Sequence, residues 1–109
     1  MNLISPLLDQ DGIVADEAFS SKKKLFEHAA ALFEEVKGLK RQEVFDSLFE
    51  RERLGSTALG FGVAIPHGRI KSLKEAAGAV YRLKPALEFD SPDGLPIDLV
   101  SVLAVIPDS

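Results

Sequence analysis

One of the two histidines, His67, stands between a proline and a glycine in the segment Gly-Val-Ala-Ile-Pro-His-Gly-Arg, residues 62–69. Imidazole titrates near neutral pH, so it can act as a nucleophile, a general base or a metal ligand. Pro66 favours an extended residue before it, which predicts that His67 follows the end of a strand. Gly68 would let a partner or a phosphate oxygen approach, and backbone N–H groups there could bind an anion. The competing interpretation is a structural histidine at a strand-ending turn.

Two arginines and two hydroxyl residues precede this histidine. Arg51 and Arg53 close a predicted helix, where positive charge suits the negative helix end, while a planar guanidinium also suits phosphate oxygens. Ser56 and Thr57 follow in a glycine-rich loop, where their hydroxyls could donate to phosphate or satisfy the backbone of the loop. This loop is not a P-loop, because no Gly-Lys-Ser/Thr sequence follows it.

Other kinds of catalytic site find no support in the sequence. The chain has no cysteine, which excludes thiol catalysis, disulfide bonds and cysteine-ligated zinc. His28 lies in the first predicted helix, and we interpret it as a boundary residue of the apolar face. No group of histidines and carboxylates has the spacing of a metal site, and no serine occupies a nucleophile elbow. We therefore expect no metal.

The composition indicates a single domain. The chain has 109 residues, of which 46% are hydrophobic, enough to bury a core. Its net charge of −4 offers none of the basic surface that nucleic-acid binding requires. The first residues lack a signal-peptide pattern, and no apolar run approaches the roughly 20 residues of a membrane-spanning helix. These features predict a soluble cytoplasmic domain that neither binds nucleic acid nor inserts into a membrane.

Hydrophobic periodicity predicts the elements that position these residues. Apolar residues at helical spacing predict a helix over 21–37, with Ser20 or Ser21 as its N-cap and Gly38 just after its end. A second helix is predicted over about 41–53. The remaining predictions are a helical turn near 5–8, a strand at 13–15, a loop over 55–62, a strand over 61–65, a helical turn over 70–75, a strand over 77–83, a turn at 90–94 and a strand over 99–106. This mixture of helices and strands predicts α/β layers.

The last predicted strand is a continuous apolar run, Leu-Val-Ser-Val-Leu-Ala-Val-Ile at 99–106. A run of this kind is typical of a central strand that is covered on both faces. Since the chain offers only two long helices, we expect that a further C-terminal helical part is missing from residues 1–109.

Two stretches together resemble the signature of a known family. They are Arg-Glu-Arg-Leu-Gly-Ser-Thr at 51–57 and Gly-Phe-Gly-Val-Ala-Ile-Pro-His-Gly-Arg at 60–69. This pattern resembles the mannitol/fructose-type IIA domains of the bacterial phosphoenolpyruvate-dependent phosphotransferase system (PTS). The chain looks most like the nitrogen-regulatory branch of that family, IIA-Ntr. The segments that match this branch are Ile-Ser-Pro at 4–6, Ser-Ser-Lys-Lys-Lys at 20–24 and Gly-Ser-Thr at 55–57. The segment Asp-Gly-Leu-Pro-Ile-Asp-Leu-Val at 93–100 also fits the resemblance.

The resemblance implies a role for each candidate residue. His67 would accept a phosphoryl group, and Arg51, sixteen residues earlier as in the family, would neutralise phosphoryl charge. No metal or bound cofactor is implied. Family members carry a second histidine near the site, at a position beyond Ser109. The groups that would bind phosphoryl oxygens are Ser56, Thr57, Gly68 and Arg69.

The resemblance also implies a fold, a function and partners. The fold would be α/β, with a mixed sheet of about five strands between helices on both faces, in one IIA-type domain over 1–109 that lacks its C-terminal helices. The protein would accept phosphate from an HPr/NPr-type phosphocarrier and regulate targets such as potassium transporters or sensor kinases by its phosphorylation state. The alternatives are a sugar-specific IIA that passes phosphate to a IIB domain and a non-catalytic binding module of the same fold.

Overall fold

A computed structural model describes residues 13–107, with side chains from residue 18 onward. It has the mixed α/β fold that the sequence predicts. In chain order the elements are β1 (Ile13–Glu17), α1 (Lys22–Lys37), α2 (Arg41–Leu54), β2 (Ala58–Gly60), β3 (Val63–Ala64), β4 (His67–Arg69), β5 (Ala77–Leu87) and β6 (Ile97–Val105).

The strands form one mixed sheet with the order β1-β5-β6-β3-β2. The short strand β4 pairs with β6 further along the same side that β3 occupies, and both pairings are parallel. The six strands therefore fill five positions, in agreement with the predicted sheet of about five strands. The β5–β6 and β2–β3 pairs are antiparallel.

The first helix begins and ends where its capping residues predict. The Ser21 side chain accepts a hydrogen bond from the backbone N–H of Lys24, as an N-cap does. Gly38 adopts the left-handed conformation with φ of 71°, and its N–H donates to a carbonyl of the last turn. The second helix, predicted over about 41–53, is observed at Arg41–Leu54.

Both helices cover the same face of the sheet, as the strand register demonstrates. Tyr81 of β5 is hydrogen-bonded to α1 through His28 and pairs with Val100 of β6. Gly68 of β4 lies against α2 and pairs with Ala104 of β6. Directly paired residues share a face of the sheet. Within one strand, residues whose numbers differ by an even number, such as Val100 and Ala104, also share a face. The core therefore lies between this face and the two helices, and its largest buried side chains are Tyr81, Phe26, Phe33, Phe89, Leu25 and Leu48.

The opposite face is partly open in the described residues. The prediction that β6 is a central strand is confirmed, since β6 lies between β5 and the β3/β4 position. However, Leu99 is 42% exposed, and Leu103 and Val105 are only half-buried. Residues 13–107 supply no helix for this face, so the expected C-terminal helical part stays a prediction.

The local predictions differ from the structure at four places. His67, predicted to follow the end of a strand, is itself the first residue of the short strand β4, which the sequence did not predict. The predicted loop over 55–62 contains the short strand β2, and the strand predicted over 61–65 is reduced to Val63–Ala64 because Phe61 and Gly62 form a turn. The helical turn predicted over 70–75 is a non-helical turn with a hydrogen bond from Leu73 N–H to the Ile70 carbonyl. Each segment is too short for periodicity to distinguish helix, strand and turn. The helical turn predicted near 5–8 lies outside the described residues.

The turn between β2 and β3 is held by a carboxylate from a distant loop. Phe61 adopts a left-handed backbone with φ of 57°, which is unusual for a bulky residue, and its side chain is 92% exposed. Its N–H donates to Asp93 Oδ2 at 2.8 Å. The other Asp93 oxygen accepts from Ser91 Oγ and Leu95 N–H. The Ser91 hydroxyl first, and then these backbone amides, lower the pKa of Asp93.

We predict an acid transition in this turn. Because the pKa of Asp93 is lower in the folded protein, the ionised carboxylate stabilises the fold above its ordinary pKa of about 3.9, and this stabilisation is lost as pH falls through the folded value. Amide NMR shifts of Phe61 and Leu95, followed during acidification, should change with a common midpoint below pH ~3.9. Asp93→Asn should remove the transition. A midpoint at or above the ordinary value would contradict the prediction.

Candidate phosphoryl-transfer site

His67 is held at the edge of the sheet in a defined ring orientation. Its Nδ1 lies 3.0 Å from the carbonyl oxygen of Ile65. A carbonyl oxygen can only accept a hydrogen bond, so Nδ1 carries the proton. In the neutral ring Nε2 is then the unprotonated nitrogen with a free lone pair, which is the form that a nucleophile needs.

The backbone of β4 presents two amides to the outside of the sheet. Leu103 N–H donates to the Pro66 carbonyl, and Ile70 N–H donates to the Val105 carbonyl, both toward β6. Successive residues of a strand direct their backbone groups to alternate sides, so the groups of His67 and Arg69 point away from β6.

A hydroxyl from α2 agrees with this direction, because Ser47 Oγ donates to the Arg69 carbonyl at 2.9 Å on that outer side. The outward amides that could bind an anion are therefore those of His67 and Arg69. The sequence suggested backbone N–H groups near Gly68 as donors; the N–H of Gly68 itself points toward β6, whereas those of its two neighbours point outward.

Gly68 is required by helix packing and leaves no open space for a ligand above it. A Cβ built on Gly68 would lie 2.8 Å from Ser47 Cβ and 3.0 Å from the Ser47 carbonyl carbon, and closer still to Ser47 Oγ. The backbone of Gly68 is not in the left-handed region. α2 occupies the space that the missing side chain leaves, so a partner or phosphate oxygen would not approach Gly68 along that direction.

The end of α2 and the strand β4 enclose a cleft of about 430 Å³, which we call the His67 cleft. It brings together four of the predicted site residues, namely Arg51, His67, Gly68 and Arg69. Its other lining residues are Ser47, Glu50 and Leu54. These three residues are not among the site residues that the sequence predicts. The i, i+3, i+4, i+7 spacing of 47, 50, 51 and 54 could have identified them, because residues so spaced share one helix face.

The arginines near this cleft differ in their partners. Arg51 Nη1 donates to the Gly55 carbonyl at 2.9 Å, so its guanidinium is tied to the end of its own helix. Arg53 lies outside the cleft lining and donates to Glu50 at 2.6 Å. The Glu50 carboxylate raises the pKa of Arg53 through this bond. Arg69 is exposed on β4 and lines the cleft.

The two hydroxyl residues of the loop are not brought to the His67 cleft. Ser56 Oγ donates to the Phe89 carbonyl and accepts from Ala58 N–H. Thr57 is buried, and its Oγ1 donates to Glu52 at 2.6 Å. These hydroxyls hold the loop to Phe89 and to Glu52. This arrangement fits the alternative interpretation, in which Ser56 and Thr57 satisfy the loop rather than bind phosphate.

The second histidine has a structural environment, as the sequence predicts. His28 Nδ1 is 2.8 Å from the Tyr81 hydroxyl, and its ring contacts the rings of Tyr81 and Phe19 edge-on. Within residues 13–107, no three histidine or carboxylate side chains gather as a metal site would require. In the same part of the chain, no helix is long and apolar enough to cross a membrane.

Comparison with protein families gives a match over residues 6–109, to the family described as the phosphoenolpyruvate-dependent sugar phosphotransferase system, EIIA 2. The chain therefore belongs to this PTS family. A relative from Bradyrhizobium diazoefficiens, named nitrogen regulatory protein, is 40% identical over 92% of this chain and 65% of its own length. A second protein of that name, from Pseudomonas aeruginosa, is 42% identical over 78% of this chain and 56% of its own length. The chain thus spans about two thirds or less of the length of these relatives.

The solved structures agree with this assignment. The nitrogen regulatory protein IIA-Ntr from Neisseria meningitidis superposes with a TM-score of 0.84 at 48% identity, covering 90% of this chain and 67% of that one. The mannitol IIA of Escherichia coli superposes with a TM-score of 0.75, covering 89% of this chain and 70% of that one. At 22% identity, the mannitol protein shows the shared fold alone.

Proposed function

We propose that this protein is a phosphocarrier that accepts a phosphoryl group on Nε2 of His67 from a phosphorylated HPr/NPr-type carrier. The observation that carries the proposal is the hydrogen bond between Nδ1 and the Ile65 carbonyl. It makes Nε2 the unprotonated nitrogen of a ring that lines the His67 cleft together with Arg51 and Arg69. Membership of the PTS family supports phosphoryl transfer as the chemistry.

In the proposed step, Nε2 of His67 attacks the phosphorus of a phosphohistidine on the carrier. The N–P bond of the carrier breaks as the Nε2–P bond forms, and the carrier ring, protonated on its other nitrogen, leaves as neutral imidazole. His67 keeps its proton on Nδ1, which continues to donate to the Ile65 carbonyl. The transferring group spreads negative charge over its equatorial oxygens, so positioning and electrostatics provide the catalysis. Arg51, Arg69 and the outward amides of β4 are the groups suited to neutralise that charge.

The proposed product supports a regulatory role. A phosphoryl group adds a charge of roughly −1.5 to −2 at pH 7, which can change the partner that binds this edge of the sheet. The similarity to nitrogen regulatory proteins favours control of target proteins, such as potassium transporters or sensor kinases, in the cytoplasm. Transfer to a IIB domain is the second candidate. It is favoured by the structural likeness to a mannitol IIA that was solved in complex with its phosphorylated IIB.

The proposal is tested by intact-mass measurement of the protein after incubation with phosphoenolpyruvate, enzyme I and an HPr-type carrier. One acid-labile phosphoryl group should be gained only when the carrier is present. A parallel incubation with phosphoramidate, a small donor that needs no carrier, separates a competent nucleophile from carrier recognition. Failure of both reactions in a folded protein would favour a binding module. A subsequent chase with IIB domains tests the second candidate.

We predict that Arg51→Ala slows phosphoryl acceptance by about a hundredfold, because it removes a guanidinium from the charge that develops in transfer. Single-turnover labelling from the phosphorylated carrier measures this rate. Arg53→Ala is the matched control, since Arg53 lies two residues away but outside the cleft lining, and it should transfer at the wild-type rate. An unchanged rate for Arg51→Ala would assign the role to Arg69.

A further inference from the structure

A buried carboxylate, Glu52, lies next to Arg51 in sequence but on another side of α2. The Glu52 side chain is only 5% exposed. Its carboxylate is paired with Lys22 Nζ at 3.1 Å and accepts from both the hydroxyl and the backbone N–H of Thr57. A buried carboxylate is costly unless it is paired and hydrogen-bonded, and this one is satisfied from both α1 and the following loop.

Further hydrogen bonds connect Thr57, the partner of Glu52, to the candidate nucleophile His67. The carbonyl of Thr57 accepts from Ile65 N–H at 3.1 Å, which extends the β2–β3 pairing by one step. The carbonyl of Ile65 in turn accepts from His67 Nδ1. A chain of hydrogen bonds therefore runs from Lys22 through Glu52, Thr57 and Ile65 to the His67 ring.

The same segment also holds the candidate arginine. Gly55 N–H donates to the Glu52 carbonyl, and the Gly55 carbonyl accepts from Arg51. The segment 52–57 is thus bound to the guanidinium through Gly55 and, at its end, to Ile65 in the connection between β3 and β4. Since the Glu52 carboxylate closes this segment on Thr57, it determines where these two attachments lie relative to each other.

We propose that Glu52 is a positioning residue that fixes where the His67 ring lies relative to Arg51. In this position, Nδ1 of His67 donates to the Ile65 carbonyl. The kinetic part of this proposal rests on the proposed phosphocarrier function. Glu52 itself acts through Thr57 and Ile65 and does not line the His67 cleft. A misplacement of reacting groups of about 1 Å can cost on the order of a hundredfold in rate, so this role has a measurable consequence.

Two readouts on the same variants test the proposal. Ring ¹⁵N NMR of His67 at a pH where the ring is neutral gives the fraction protonated on Nδ1, and single-turnover labelling gives the transfer rate. Glu52→Ala should shift His67 toward a mixture of tautomers and slow transfer about tenfold to a hundredfold. Thr57→Val, which loses one bond to Glu52 and keeps its shape, should move both readouts in the same direction by less. Glu52→Gln retains an acceptor for Thr57 and should restore most of the tautomer preference. Glu35→Gln, an exposed change on α1, is the control.

The two readouts separate the two proposals. If folded Glu52→Ala and Thr57→Val both keep the wild-type tautomer and rate, Glu52 has no positioning role. If Glu52→Ala does not fold, Thr57→Val decides the question alone. If the tautomer shifts in the variants while the wild-type protein accepts no phosphoryl group, the positioning of the ring is supported and the phosphocarrier function is wrong.

Discussion

Replacing His67 with alanine should abolish phosphoryl acceptance and leave a folded protein. The change removes the imidazole ring whose unprotonated nitrogen, Nε2, is the proposed nucleophile in the His67 cleft. Its cost to stability should be small, because His67 is half-buried at a sheet edge and lies outside the hydrophobic core. The hydrogen bond to Ile65 that it loses contributes about 1 kcal/mol. The backbone pairing of β4 with β6 does not use this side chain.

The measurement combines intact mass after carrier-dependent labelling with a denaturant unfolding curve for the same sample. His28→Gln is the matched control, since it changes the other histidine and retains a group that can bond to the Tyr81 hydroxyl. It should be labelled to the wild-type extent. Full labelling of His67→Ala would move the acceptor to another residue. Loss of the fold in this variant would instead make His67 a structural residue of β4.

Gly68→Ala should destabilise the fold and distort the His67 cleft. The added Cβ would meet Ser47 Cβ at 2.8 Å and the Ser47 carbonyl carbon at 3.0 Å, so α2 must move away from β4. Inserting a methyl group into a well-packed contact costs about 1–3 kcal/mol, and here part of the obstacle is helix backbone, which yields little. For a domain of this size we expect Tm to fall by about 10 °C. Because Arg51 and His67 lie on the two separated elements, transfer should slow as well.

A double-mutant cycle tests the cause of this effect. Ser47→Gly removes two of the three atoms that the new Cβ would meet, at the cost of a helical glycine of about 1 kcal/mol. The double variant Ser47→Gly/Gly68→Ala should therefore lose less stability than the two single changes added together. Gly55→Ala is the spatial control, because a Cβ there meets no atom within 4 Å. Additive effects, or unchanged stability of Gly68→Ala, would show that α2 does not set this requirement.

The elements with strong local signals were predictable from the sequence. The first helix carries its apolar stripe, the Ser21 cap and the Gly38 end signal in contiguous residues, and the structure matches them. The apolar run that became β6 was likewise identified as a central strand. By contrast, β2 and β4 have three residues each, and their conformation is decided by pairing with distant strands.

The candidate site divides in the same way. The residues capable of the chemistry were recognisable from their types and spacing: a histidine after Pro66, an arginine at the end of a helix, and hydroxyls in the loop between them. Which of these residues lie close together depends on the packing of distant elements. Arg51 and Arg69 line the same cleft as His67, whereas the Thr57 hydroxyl is bonded to Glu52.

The physical reason is that these contacts join residues far apart along the chain. The protonated nitrogen of His67 follows from a carbonyl that β-pairing holds in place, and the need for glycine at 68 follows from the approach of Ser47 on α2. Local residue types set propensities and caps over a few neighbours. Strand register and helix packing depend on the whole core, and they bring the residues of α2 and β4 together to line the His67 cleft.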